Sequence, residues 1–181
     1  VTWSNPQVEA GTVETSRITT PVGGTVTRNA DVLTSADSVI SPTIVAEFTI
    51  PATGNPADYP RIWEWSDASG NNSCSLYFSP GSLAVRIYCV TGGVVQADYN
   101  IGSVVRGNTY KVAARLMPND IAASLSGAAV PTPDNTVAMP VVATFFRGCS
   151  PGHNEWGAGI RKIKRYSVAK TNAELQILSI V

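Results

Sequence analysis

Two stretches of this chain alternate so strictly that they limit the fold before anything else is considered. Ile44, Ala46, Phe48 and Ile50 fall on one side of a period-two pattern and Val45, Glu47 and Thr49 on the other. Tyr110, Val112, Ala114 and Leu116 repeat it against Lys111, Ala113, Arg115 and Met117. Successive side chains point to opposite faces only in extended backbone, so each stretch is a β-strand with one face buried. Composition agrees: 21 Val, 17 Thr and 12 Ile exceed a quarter of the 181 residues, and their branched side chains favour pleated surfaces. Further strands are expected at 61–66, 73–79, 82–90, 94–101, 121–125, 141–146 and 158–168, separated by clusters of Gly, Pro, Asn and Asp. One helix is expected, where Thr171-Asn-Ala-Glu174 forms a capping box and Leu175 and Leu178 follow on one face. Too short to stand alone, it must pack on the sheet. Roughly eight to twelve short strands can bury their apolar faces only as two stacked layers. The expected fold is therefore all-β, a jelly-roll β-sandwich over residues 31–181 with one short C-terminal helix. Residues 1–30, polar and Thr-rich without sustained periodicity, read as an extended N-terminal arm or the remnant of an upstream strand.

Charge excludes other classes. With 13 Lys and Arg balanced by 13 Asp and Glu, the chain has no broad positive footprint, so binding nucleic acid through its phosphates is not expected. No run of eighteen apolar residues occurs, which removes an inserted membrane helix from the expectations. Val1 stands where an initiator Met would, so the start reads as a cut end, and Val1 to Pro6 carry no address signal. The three cysteines, Cys74, Cys89 and Cys149, are read first as buried free thiols. If Ser79 to Ser82 closes a hairpin with Phe78 opposite Leu83, Cys74 faces Ile87, and only a change of register would bring it to Cys89 as a disulfide. No Cys-x-x-Cys occurs and there is one His, so neither a zinc site nor any other cofactor is expected.

Several segments resemble a known family. Gln7-Val-Glu-Ala-Gly-Thr-Val-Glu-Thr-Ser16, then Ile18-Thr-Thr-Pro21 and Val26-Thr-Arg-Asn-Ala-Asp31, are similar to a stretch common in tailed-phage and prophage virion proteins. There it precedes a concanavalin A-like, laminin-G-like jelly roll. Ile44 to Thr49, Arg61 to Asp67, Tyr110 to Ala114, Gly159 to Arg165 and Asn172 to Gln176 extend the similarity over nearly the whole chain. It departs at Ile121 to Gly127, where members commonly carry an Asn-Gly pair, so no role of that Asn transfers. The resemblance implies a virion surface module on a tail fibre, spike or other appendage, in contact with other virion subunits and commonly a homo-oligomer, assembled in the host cytoplasm.

Enzymatic chemistry finds little to stand on. Glycosidases need two carboxylates about 5 to 9.5 Å apart across the scissile bond. The sequence offers Glu64-Trp-Ser-Asp67, whose offset of three puts the two on opposite faces of a regular strand. A nucleophilic triad would have to use His153, the one imidazole, in a turn-rich loop with no nucleophile elbow. Asp67, Asn71 and Asn72 are oxygen donors of the kind calcium takes, but a site needs six to eight oxygens, and ordinary Asx turns explain them better.

The candidate binding residues are aromatic. Trp63 and Trp65 share a regular strand's face with Arg61, opposite Ile62 and Glu64. They form either an exposed stripe that stacks on sugars or the buried face of the strand, and the general burial of Trp favours the second. Trp156, near His153 and Asn154 in a loop, is a further ligand candidate and equally a packing anchor. The basic run Arg161, Lys162, Lys164 and Arg165 reads first as a charged edge strand that resists aggregation, and second as a surface for an acidic polysaccharide or subunit. The expected function is non-enzymatic attachment of a phage virion to a host surface glycan. A decoration or cement protein stabilising a capsid or tail through its arm is the alternative, and a secreted cellular lectin a third.

Overall fold

The structure, a computed structural model, describes residues 33–36, 38–53, 59–148 and 156–181. Ten strands and one helix follow in order: β1 (Leu33–Ala36), β2 (Thr43–Thr49), β3 (Arg61–Ser66), β4 (Ser73–Ser79), β5 (Ala84–Thr91), β6 (Val94–Ser103), β7 (Thr109–Met117), β8 (Asp120–Leu125), β9 (Thr144–Arg147), β10 (Ile160–Tyr166) and α1 (Asn172–Leu178). They form a six-stranded sheet ordered β1-β9-β3-β4-β5-β6 and a four-stranded sheet ordered β10-β2-β7-β8. Every pairing is antiparallel. The expected all-β jelly-roll sandwich with a short C-terminal helix is what forms. The expected arm over 1–30 lies outside the described residues.

Period-two burial joins the two layers. From the four-stranded sheet Ile44, Ala46, Phe48, Val112, Ala114, Leu116, Ile121, Ala123 and Leu125 point inward. They meet Trp63, Trp65, Leu76, Phe78, Val85, Ile87, Ala97, Tyr99 and Phe145 from the six-stranded sheet in one core. The other face of the four-stranded sheet receives α1, whose buried Leu175 packs with Val45, Ala113 and Ala122. The capping box expected at its start is present: the Glu174 amide donates to Thr171 Oγ1, and the Thr171 amide donates to the Glu174 carboxylate at 2.8 Å. Hydrogen bonds from Lys170 and from Thr171 pull the Glu174 carboxyl down to about 2.

The cysteine reading needs correction. Pro80 to Leu83 make a longer turn than expected, with Leu83 in the left-handed region at φ 48°, so Leu83 leaves the ladder. Ser79 then pairs with Ala84 and Phe78 with Val85, which moves every partner two residues along. Cys74 comes to face Cys89 directly, Cα atoms 4.2 Å apart, and the two form a disulfide between β4 and β5. Cys149 lies outside the described residues.

The basic run forms β10, an edge of the four-stranded sheet. Arg161 reaches Glu47 at 3.4 Å, Lys164 lies 4.7 Å from the Tyr166 ring centre, and Arg165 lies 5.1 Å from that of Phe145. Its charges are thus spread over three different contacts along an exposed edge.

Candidate functional site

The six-stranded sheet has one face in the core and one outside it, and the outer face of β3 to β6 carries a polar, aromatic groove. Alternation decides its membership. Because Cys74, Leu76 and Phe78 point inward on β4, Ser75, Tyr77 and Ser79 point outward; because Val85, Ile87 and Cys89 point inward on β5, Arg86 and Tyr88 point outward. Asp98 is their counterpart on β6, directly opposite Tyr88. Register then places Tyr77 beside Arg86 and Ser75 beside Tyr88.

Strand β3 joins this face through an irregularity. Arg61 pairs with Tyr77 and Trp63 with Leu76, so Ile62 is an extra residue, a β-bulge. The bulge sends both Ile62 and Trp63 into the core and leaves Arg61 on the outer side with Glu64, three positions on. Arg61 Nε donates to Glu64 Oε2 at 3.2 Å, with both side chains almost fully buried. The Arg61 guanidinium also lies 4.8 Å from the Tyr77 ring centre. Burial lowers its pKa from the usual arginine value, and the Glu64 charge opposes that effect.

Across the groove Asp98 organises a second cluster. Its Oδ1 accepts from Arg86 Nε at 2.7 Å and from the Tyr77 hydroxyl at 2.9 Å, while Arg86 Nη2 donates to the Asp98 carbonyl at 2.9 Å. Burial, then the bond to Asp98, push the Tyr77 phenol up to about 12, so it stays a donor at any physiological pH. The bond to Asp98 likewise raises the pKa of Arg86. Tyr59, Tyr77 and Tyr88 meet edge to face in a row, with centroids 5.9 and 6.2 Å apart. Tyr59, Arg61, Tyr77, Arg86, Tyr88 and Asp98 line a cavity of about 590 Å³. A second, of about 250 Å³, shares Arg61 and Tyr88 and reaches Glu64, Val90 and Val95.

Of the described residues nominated from sequence as ligand-binding, Arg61 alone lines this groove. Trp63 and Trp65 are fully buried, 5.2 Å apart between ring centres, with Trp65 packed on Phe145. The exposed stripe is therefore corrected: both indoles point between the sheets, and the bulge separates Arg61 from them. Trp156 is a packing anchor, buried edge to face against Phe48 at 5.5 Å. His153 and Asn154 lie outside the described residues.

Of the calcium candidates, Asp67 and Asn72 have their side-chain oxygens engaged by neighbouring groups, and Asn71 donates its backbone amide to Ser69 Oγ. Asp67 Oδ1 accepts from the Ser69 amide and hydroxyl, and Oδ2 from the Asn72 amide group at 2.9 Å. Asn72 Oδ1 in turn accepts from the Gly92 amide. The bonds from Ser69 and Asn72 lower the Asp67 carboxyl below its usual range. Among the described residues no group of three or more His, Cys, Asp and Glu side chains is placed to hold a metal.

The groove was legible in part. The same alternation that marked Cys74, Leu76 and Phe78 as one face implied Tyr77 on the other, and likewise Arg86 and Tyr88 on β5. The bulge at Ile62 had no signature of its own, since Arg61 to Ser66 reads as an unbroken strand.

Two antiparallel sheets around a shared apolar interior define a jelly-roll β-sandwich, and an open groove lies on one of its outer faces. No family model matches the chain, and no curated protein matches it. Among solved structures it is similar to the CBM40 domain of the Ruminococcus gnavus IT-sialidase bound to α2,6-sialyllactose, with 16% identity and a TM-score of 0.58, covering 77% of this chain and 82% of that one. It is also similar to Trypanosoma rangeli sialidase, with 17% identity and a TM-score of 0.58 over 75% of this chain and 22% of that one. The heptameric SAP-like pentraxin of Limulus polyphemus shares 12% identity at a TM-score of 0.54, covering 74% of this chain and 67% of that one. At these identities the likeness is one of fold.

Proposed function

We propose that the chain is a non-enzymatic glycan-binding module whose recognition surface is the outer face of β3 to β6. The observation that carries this is the groove itself, about 590 Å³ in volume, where tyrosine rings lie beside paired donors and acceptors. Sugars present apolar C–H faces and a rim of hydroxyls, and such a surface answers both. The similarity to a carbohydrate-binding domain that was solved with sialyllactose supports the reading. The groove's carboxylates argue for binding over hydrolysis: Glu64 is held by Arg61 and Asp98 by Arg86 and Tyr77. Each carboxylate is thus engaged with a cation of the protein rather than presented as one of the two acids that straddle a scissile bond. For the setting, the family resemblance of the Gln7–Asp31 stretch supports a tail-fibre or other appendage module of a tailed phage, attaching to a host surface glycan.

A glycan array probed with the wild-type chain and with Tyr88→Ala tests the first part. Binding by the wild type with a loss of about tenfold or more in the variant is expected, since central aromatic anchors dominate such interfaces. Equal binding by both would move the site elsewhere, and an empty array would end the reading. Antibody labelling of purified particles by electron microscopy tests the second part, with label on an appendage expected and unlabelled particles contrary to it.

A further inference from the structure

The charge arrangement of the groove narrows its ligand. Both cations in its walls are committed: Arg61 to Glu64 at 3.2 Å, Arg86 to the side chain and the backbone carbonyl of Asp98 at 2.7 and 2.9 Å. Among the described residues the groove is thus neutral, with two guanidinium groups set against two carboxylates. The carboxylate of Asp98 remains about half exposed, and its second oxygen accepts no hydrogen bond from any described residue. Asp98 lies directly opposite Tyr88 across the strands, and both line the groove.

We infer that this groove takes a neutral glycan and rejects acidic ones, with Asp98 accepting hydroxyls of a sugar whose C–H face lies on Tyr88. The inference rests on the glycan-binding reading above and gives it a substrate class. An ionised carboxylate acceptor favours ligands that donate, and neutral hexoses donate from every hydroxyl. A sialic or uronic acid would bring its own carboxylate against Asp98, which no uncommitted cation among the described residues of the groove offsets, and like charges in a partly desolvated site repel. Arg86 would turn to an acidic ligand only by releasing Asp98, leaving that charge unpaired. The sialyllactose bound by the R. gnavus domain is the kind of ligand this arrangement disfavours.

The test uses matched pairs on one array: lactose with 3′- and 6′-sialyllactose, N-acetyllactosamine with its sialylated forms, and neutral bacterial-type hexose oligomers with uronate-containing ones. Hits confined to the neutral members are expected. The strongest neutral hit is then titrated into the wild type between about 50 and 500 mM NaCl, and its affinity should change less than about twofold, because no net charge is neutralised on binding. Asp98→Asn, checked for an unchanged thermal midpoint, should weaken that ligand by about tenfold, the usual worth of a hydrogen bond to a charged acceptor. Preference for sialylated or uronate members, or affinity falling steeply with salt, overturns the neutral class and leaves the glycan reading standing. Binding to no glycan overturns both. The salt series uses the wild type alone, so the inference remains testable should Asp98→Asn fail to fold.

Discussion

At the level of single residues, the tryptophans and the Arg61–Glu64 pair behave in opposite ways although they alternate along one strand. Trp63 and Trp65 fill the space between the sheets, so truncating Trp65 to Ala should destabilise the fold by about 3–5 kcal/mol, read from urea unfolding. Neither indole N–H finds a hydrogen-bond partner among the described residues, so Trp65→Phe removes a buried donor along with the lost area and should be milder than Ala. Glu64 has the opposite problem. With both side chains under a tenth exposed, Glu64→Gln replaces the carboxylate that Arg61 Nε meets at 3.2 Å with a neutral amide. A loss of about 3–5 kcal/mol is expected, and a cost below 1 kcal/mol would show that the pair is dispensable. The sequence identified Arg61 as a ligand candidate for a reason the structure reverses. It was grouped with the indoles by regular alternation, and it reaches the groove because that alternation breaks at Ile62.

Element boundaries followed from local chemistry where that chemistry was strong. Strands β3 and β4 fall where turn residues and alternation set them, and α1 starts where its capping box does. The four-residue β1 was missed because Leu33 to Ala36 is too short to establish a period, and it is defined by pairing with β9. The β4–β5 register was missed because Leu83 adopts a conformation that bulky residues rarely take. That register now has a measurable consequence. Closing a separation of 15 residues, the Cys74–Cys89 bond should contribute about 3 kcal/mol, so Cys74→Ala/Cys89→Ala should lower the urea midpoint accordingly. At the helix, the Glu174 carboxyl is depressed in the folded chain. Its contribution is therefore present above the unfolded carboxylate value and fades as pH falls from there towards about 2. The gap in thermal midpoint between wild type and Glu174→Ala should be full at neutral pH and closed at the acid end, and a pH-independent gap would refute the assignment.

For the molecule as a whole, the sandwich followed from the repetition of one pattern, whereas its closure did not. Residues 128–139 read as a loop before a strand at 141–146; the strand begins only at Thr144, and 128–143 seal the margin beside β6 and β8. Asp134 bridges to Ile121, Thr91 Oγ1 donates to the Ala138 carbonyl at 2.7 Å, and Val137 and Val142 enter the core. Val137→Asp should therefore cost more than about 3 kcal/mol, and hydrogen exchange should report the loss first along β6 and β8. No periodicity announces such a segment, since its apolar residues are single anchors rather than a row. The bulge at Ile62 bears on the same whole, because it sets the phase between the two ends of β3. Excising that one amino acid would restore an uninterrupted ladder, yet everything upstream of the excision would turn over, driving a guanidinium toward the tightly filled interior. Removing a single codon there should be far more damaging than replacing Ile62 with Val, a contrast that expression yield alone would reveal.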